Sequence, residues 1–333
     1  MAGPSPYRAI LLPQGRFDSR ITRTPVLALT VDTGRIEGVQ DVVRSTPMRS
    51  RLRTAPHSLA GLEPSATIVD VPEGHTIHRL ARRHARLLVG QRVAADSPQG
   101  RFEGGASLID GRVLADTDAW GKHLFHRYDD LWLHVHLGLY GKFRDGLRPA
   151  PEARGALRLR ILTPDHWLEL RGPTACEVLT DDERQTIFDR LGPDPLRKRP
   201  DVEAFVARVL RSRAPMATLL MDQSVVAGVG NVYRAEVLSR QRLDPFRPGR
   251  DHTMAEVHAV WDDLAVLLRA GVRAGRIVTT VPDDRERPFG RPRRVDSHYV
   301  YGRAGLPCRT CGTPVLDTLI AARRLFWCPI CQA

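Results

Sequence analysis

Three features along the 333 residues predict an α+β protein of several domains. Short β-rich segments separated by Gly, Asp and Pro turns fill residues 92–180. Helical stretches occupy much of 201–272. Four of the five cysteines fall in the last 26 residues, as Cys308-x2-Cys311 and Cys328-x2-Cys331. Strands and helices are therefore grouped, with a small cysteine-bearing unit at the end.

Taken in order, residues 1–70 hold scattered prolines and arginines and short apolar runs such as Val26-Leu27-Ala28-Leu29, without a sustained period of 2 or 3.6. Little stable structure is expected there. Pattern begins at Val71-Pro72-Glu73-Gly74, after which Ile77, Leu80, Ala81, His84, Leu87 and Leu88 form an amphipathic helical stripe closed by Gly90. His123-Leu124-Phe125-His126 and Leu131-Trp132-Leu133-His134-Val135-His136-Leu137 represent the strands that follow, and the region reads as a β-sandwich or barrel. Leu191-Gly192-Pro193-Asp194-Pro195 breaks the pattern. Helices are expected near 201–211, 215–222, 232–240 and 254–272, the last punctuated by Gly271 and Gly275. A basic, Pro/Gly-rich segment, Arg285 to Arg294, leads into the tail.

Two CxxC pairs separated by 16 residues can present four thiolates tetrahedrally to one metal. A full set of protein ligands leaves no open position, so the site is expected to hold one structural zinc ion on Cys308, Cys311, Cys328 and Cys331. Between the pairs, Arg323, Arg324, Leu325, Phe326 and Trp327 suggest a β-hairpin with a phosphate-contacting tip. The formal charge of +12 favours a polyanionic partner, most often nucleic acid. All but three of the fifty basic residues are arginine, a bias that carries little functional weight by itself. No apolar run is long enough to span a bilayer and the N-terminus lacks a signal peptide's layout, so a reducing cytoplasm and no membrane partner are expected. A monomer is the expectation. His134 and His136 alternate on a strand without a carboxylate partner at recognisable spacing, and are read as structural.

Four motifs occur in a fixed order: Pro72-Glu73-Gly74 at a helix start; Gly121-Lys122-His123-Leu124; Leu220-Met221-Asp222-Gln223 through Gly228-Val229-Gly230-Asn231-Val232-Tyr233; and Tyr301-Gly302-Arg303 before Cys308. With the terminal Trp327-Cys328-Pro329-Ile330-Cys331-Gln332, they resemble the formamidopyrimidine-DNA glycosylase and endonuclease VIII family over residues 72–333. The resemblance implies an N-terminal β-sandwich with a flanking helix (72–190), a helix-two-turn-helix domain (191–294) and a zinc-finger β-hairpin (295–333). Double-stranded DNA with oxidised or abasic sites would lie across the basic cleft, in a bacterial cytoplasm. The activity implied is base-excision repair by a bifunctional DNA glycosylase and abasic-site lyase. Pro72 would be the Schiff-base nucleophile, Glu73 the proton donor and Lys122 a phosphate contact assisting at the site. Asn231 and Arg323 would grip the phosphates beside the lesion, with Gly228 and Gly230 giving room for phosphate approach, and Leu139 and Tyr140 would fill the gap left by the flipped base.

Two positions depart from the family pattern. Pro72 is internal in the sequence as written, and an imide nitrogen forms no Schiff base. The reading that fits is a chain beginning at Val71, decoded as methionine and removed, which makes residues 1–71 an unstructured extension from a mis-assigned start. The second is Thr76, where many members carry a glutamate. Pro72-Glu73-Gly74 and Leu139-Tyr140 look more like the endonuclease VIII branch, so oxidised pyrimidines are the expected lesions. The competing readings are a non-catalytic DNA-damage-binding protein on the same scaffold and a zinc-ribbon interaction protein.

Overall fold

The computed structural model describes residues 72–333, so the extension expected over residues 1–71 lies outside the described residues. The helical stripe folds as α1 (Gly74–Leu88), which Gly90 ends in a left-handed conformation (φ 82°). Strand β1 (Ala94–Asp96) and a short helix α2 (Glu103–Ile109) follow. Next come β2 (Asp116–Trp120), β3 (His123–Tyr128), β4 (Leu131–His136), β5 (Lys142–Leu147), β6 (Leu157–Leu162), β7 (His166–Arg171) and β8 (Ala175–Leu179). They pair antiparallel into two four-stranded sheets, β1-β6-β7-β5 and β2-β3-β4-β8.

Period-2 alternation decides which face each sheet turns inward. Leu157, Leu159 and Ile161 of β6 are buried while the intervening arginines reach the surface. Leu159 and Ile161 meet Leu168 and Leu170 of β7, Leu133 and Val135 of β4, and Ile77, Ala81 and Leu88 of α1 in one core, so the two sheets form a sandwich and α1 packs into it. Helix α3 (Asp181–Asp189) covers the other face of β3 and β4, where Phe125 and Trp132 pack on Ile187 and Phe188. The sequence reading missed both α2 and α3.

The second half is helical: α4 (Val202–Leu210), the single turn α5 (Met216–Leu219), α6 (Asn231–Arg240) and α7 (Met254–Ala274). Phe205, Tyr233, Val237, Trp261 and Leu264 centre their core. A capping box of Thr253 and Glu256 starts α7, and Gly275 ends it in the left-handed conformation. The chain closes with the hairpin β9 (Leu316–Ile320) and β10 (Arg323–Trp327), whose Leu325 inserts into the helical core. No helix among the described residues is long and apolar enough to cross a membrane.

Helix α1 joins the two halves. Its middle and end feed the sandwich core, while near its start Arg79 donates to the carbonyls of Val272 and Arg273 at the end of α7 (both 3.1 Å). A cation on terminal helix carbonyls satisfies groups that have no partner within the helix.

Candidate active site and metal centre

Three chain segments distant in sequence meet backbone to backbone. The Gly74 N–H donates to the Gly228 carbonyl at 2.8 Å. A β-carbon on Gly74 would lie 2.8 Å from Gly228 Cα, and one on Gly121 would lie 3.0 Å from the Gly228 nitrogen. Gly228 itself has φ 93°, and Gln223 holds its turn by accepting from Gly228 N–H (3.0 Å) and donating to the Val229 carbonyl (2.9 Å). Only residues without a β-carbon permit this approach. The sequence reading gave Gly228 and Gly230 to phosphate approach; in the fold their neighbours are the protein's own backbone and the Glu73 side chain.

The junction sets Glu73 against the start of α6. Its carboxylate accepts from Gly230 N–H (2.8 Å) and Val232 N–H (2.9 Å), and the residue is fully buried. Glu73 therefore caps a helix 157 positions away, not the one it precedes, because the positive end of α6 carries free N–H groups that an anion satisfies. Burial pushes the Glu73 carboxyl up, against the pull of Lys122 and of the Val232, Gly230 and Tyr233 N–H groups. Burial likewise pushes Lys122 down, opposed by Glu73 and reinforced by Arg323. Each shift favours the neutral form.

Pro72 is half-buried and, with His75, Thr76, Val232 and Tyr301, lines a cavity of about 680 Å³. Lys122 stands in the turn before β3. Since His123 of β3 pairs with His136, the last residue of β4, Lys122 lies at the same sheet end as the turn bearing Leu139 and Tyr140. Those two side chains are 57% and 80% exposed, side by side on the turn. Gly138 and Gly141 hold the turn close to Thr174 and to the Leu137 carbonyl. His134 is buried and bonded to His123 and Glu177 (both 2.8 Å).

Asn231 is the first residue of α6, not part of the turn before it. Its Nδ2 donates to the Arg324 carbonyl (2.9 Å) and its Oδ1 accepts from Arg234. Arg323 is exposed and opens β10, after a two-residue turn in which Ala321 and Ala322 have φ 49° and 59°. Burial, followed by the nearby Arg323 charge, lowers the pKa of Arg234 to about 10.

The four hairpin-flanking cysteines converge, all sulfurs lying within 4.8 Å of one another. Cys308 and Cys331 are 3.9 Å apart and Cys311 and Cys328 3.5 Å. Zinc–sulfur bonds of about 2.3 Å in a tetrahedron set an edge of roughly 3.8 Å, so the residues fit one structural zinc ion. Cys308, Cys328 and Phe326 pack on Ala235 of α6, so the cysteine cluster and the strand that Arg323 opens are both seated on that helix.

Three buried residues of this architecture escaped the sequence reading. Asp194, 1% exposed, accepts from the Gly121 N–H (2.7 Å), bonds His78 of α1 (2.7 Å) and accepts from Leu196 N–H (2.8 Å). Glu236 on α6 accepts from the successive N–H groups of Tyr299, Val300 and Tyr301 (2.7–2.9 Å), tying the zinc unit's approach to the helix. Arg234 is fully buried beside it. Charged residues inside the otherwise apolar run Val232–Leu238 were the available signal.

Known proteins match this arrangement. The formamidopyrimidine-DNA glycosylase N-terminal domain model fits residues 71–179, and the H2TH domain model of the same glycosylase fits residues 191–283. Endonuclease 8 1 of Mycobacterium tuberculosis is 48% identical over 268 residues, covering 79% of this chain and all of that protein. The formamidopyrimidine-DNA glycosylase of Thermus thermophilus is 36% identical over 268 residues, 79% of this chain and 98% of its own. The crystal structure of the MutM (Fpg) protein from Thermus thermophilus superposes with a TM-score of 0.65 at 31% identity, covering 78% of this chain and 98% of that one. Matched through both domains and nearer in sequence to an endonuclease 8, the chain belongs to the formamidopyrimidine-DNA glycosylase and endonuclease VIII family, in its endonuclease VIII-like branch.

Proposed function

We propose that this chain is a bifunctional DNA glycosylase and abasic-site lyase of base-excision repair that acts on oxidised bases, pyrimidines foremost, in double-stranded DNA. The observation that carries the reading is Glu73: a fully buried carboxylate, shifted toward its protonated form, one residue from Pro72 at the mouth of the cavity.

The working form begins at Pro72. As a free secondary amine near its ordinary range, the Pro72 nitrogen is partly neutral at pH 7 and nucleophilic. It attacks C1′ of the damaged nucleotide; the N–C1′ bond forms, the base leaves with the electron pair of the glycosidic bond, and the proton of the attacking amine passes to the departing base. Glu73 delivers its proton to the ring oxygen as the C1′–O4′ bond opens, leaving an iminium between Pro72 and the sugar. Loss of a C2′ proton then expels the 3′ phosphate and cuts the strand. Lys122 and Arg323 offset phosphate charge, Asn231 holds the hairpin and α6 in register at the phosphate, and Leu139 and Tyr140 enter the stack where the base has left it. Cys308, Cys311, Cys328 and Cys331 would hold a structural zinc ion, which would steady the hairpin that carries Arg323. The domain limits follow as 72–190, 191–294 and 295–333, and the site of action is the bacterial cytoplasm.

Borohydride reduction on duplex DNA carrying an oxidised pyrimidine, or an abasic site, tests the reading. The chain starting at Pro72 is expected to become covalently attached, and the full sequence from Met1 only after Pro72 is exposed. Failure of both forms on both substrates would leave the non-catalytic DNA-binding reading.

A further inference from the structure

Beside Pro72 the cavity wall is built by His75 and Thr76, and neither residue is used by the steps above. The His75 ring is fixed. It is 4% exposed, stands edge-on to Tyr233 with centroids 5.5 Å apart, and backs onto Gly271 of α7, where a β-carbon would sit 2.9 Å from His75 Cγ. Burial, with the nearby Arg79 charge, lowers its pKa to about 4, so the ring is neutral at pH 7. Its Nε2 is 3.2 Å from Thr76 Oγ1, while its buried Nδ1 has no partner among the described residues.

A neutral imidazole carries one proton. On Nδ1 it would be a buried N–H without an acceptor, the costlier orphan; on Nε2 it is donated to Thr76 Oγ1. The Thr76 hydroxyl, having accepted from His75, then has its own proton to give. Thr76 is half-buried on the cavity wall, to which Arg276, Arg294 and Arg303 also contribute, all donors. A cavity so lined offers several hydrogen-bond donors and no carboxylate side chain.

Resting on the glycosylase reading, we propose that Thr76 is a specificity-determining residue that donates its hydroxyl proton to a carbonyl oxygen of the flipped base, and that His75 is the positioning residue that orients it. The ligand class is a base rich in exocyclic carbonyl oxygens, as oxidised uracils and thymines are. A carboxylate at position 76 would accept where this hydroxyl donates, and so would select the opposite polarity.

The test separates reading the base from the chemistry on the sugar, because an abasic site has no base to read. In the form that traps on abasic DNA, excision of 5-hydroxyuracil and borohydride trapping on an abasic duplex are measured side by side. Thr76→Val is expected to lower kcat/KM for excision about tenfold, the usual weight of one neutral hydrogen bond, with abasic trapping unchanged. Thr76→Ser keeps both activities. His75→Phe, which retains a flat ring against Tyr233, reproduces the loss, and adding Thr76→Val to it costs nothing more. Full excision by Thr76→Val, equal losses on both substrates, or failure of Thr76→Ser would each overturn the proposal. An unsubstituted chain that does not trap on abasic DNA would instead overturn the glycosylase reading beneath it.

Discussion

At the scale of single residues, the placement of Glu73 depends on what Gly230 lacks. A β-carbon at position 230 would lie 2.4 Å from the Glu73 carboxyl carbon, although the backbone there is extended and any residue could adopt it. Gly230→Ala should therefore displace the carboxylate without unfolding α6. Excision and abasic trapping are expected to fall about a hundredfold, the lower end of what a positioned acid contributes. Circular dichroism and zinc content should not change, and Glu73→Gln should fall at least as far. An active Gly230→Ala protein would remove Glu73 from the chemistry. Glu73 was readable in the sequence only through the motif it shares with relatives. Nothing local pointed to its partners on α6, since a carboxylate ahead of a helix ordinarily caps that same helix. The zinc ligands were the opposite case, because four thiolates at that spacing have few other uses.

At the scale of elements, α1 and β3 share a buried histidine pair: His84 Nδ1 and His126 Nε2 are 2.9 Å apart, and the remaining ring nitrogens have no hydrogen-bond partner among the described residues. Burial lowers both pKa values, His126 to about 4 and His84 well below its ordinary value. A group whose folded pKa is depressed contributes stability that is whole above its unfolded value, near 6.5, and is lost as pH falls through the folded one. The melting temperature should therefore drop between pH 6.5 and pH 4, and the doubly substituted His84→Leu, His126→Phe protein should show a shallower drop. Parallel curves would show that other groups carry the acid lability. Elements were legible in proportion to their apolar periodicity. The stripe of α1 and the alternation of β4 announced themselves, whereas α2 is seven residues with two glycines and only Ala106 and Ile109 buried. Helix α3 buries only Ile187 and Phe188 and rests on a Thr180–Glu183 capping box, a signal present in the sequence and not read.

At the scale of the whole molecule, the two halves are tied at Asp194, which the sequence reading saw only as part of a break between domains. Its carboxylate holds His78 of the sandwich-bound helix and the Gly121 N–H next to Lys122. Asp194→Ala leaves those buried donors without an acceptor, a change that typically costs about 1–3 kcal/mol for each unsatisfied buried group. The melting temperature should fall by several degrees, and excision should fall further than the unfolded fraction explains, because the Lys122 turn loses its anchor. A protein that loses stability but keeps full activity per folded molecule would show that the turn stands without it. Fold class and domain order were legible because they follow from local pattern. The contacts that assemble the site were not, because each joins positions far apart in sequence.

The meeting of Gly74, Gly121 and Gly228 also limits how this molecule can change. A protein core ordinarily absorbs a substitution by turning neighbouring side chains into other rotamers. Here the principal neighbours of each missing β-carbon are main chain, which has no rotamers to offer. Variation can pass around this point, through the cavity wall, the exposed turn and the hairpin tip, while the seam stays fixed and with it the spacing of Pro72, Glu73 and Lys122.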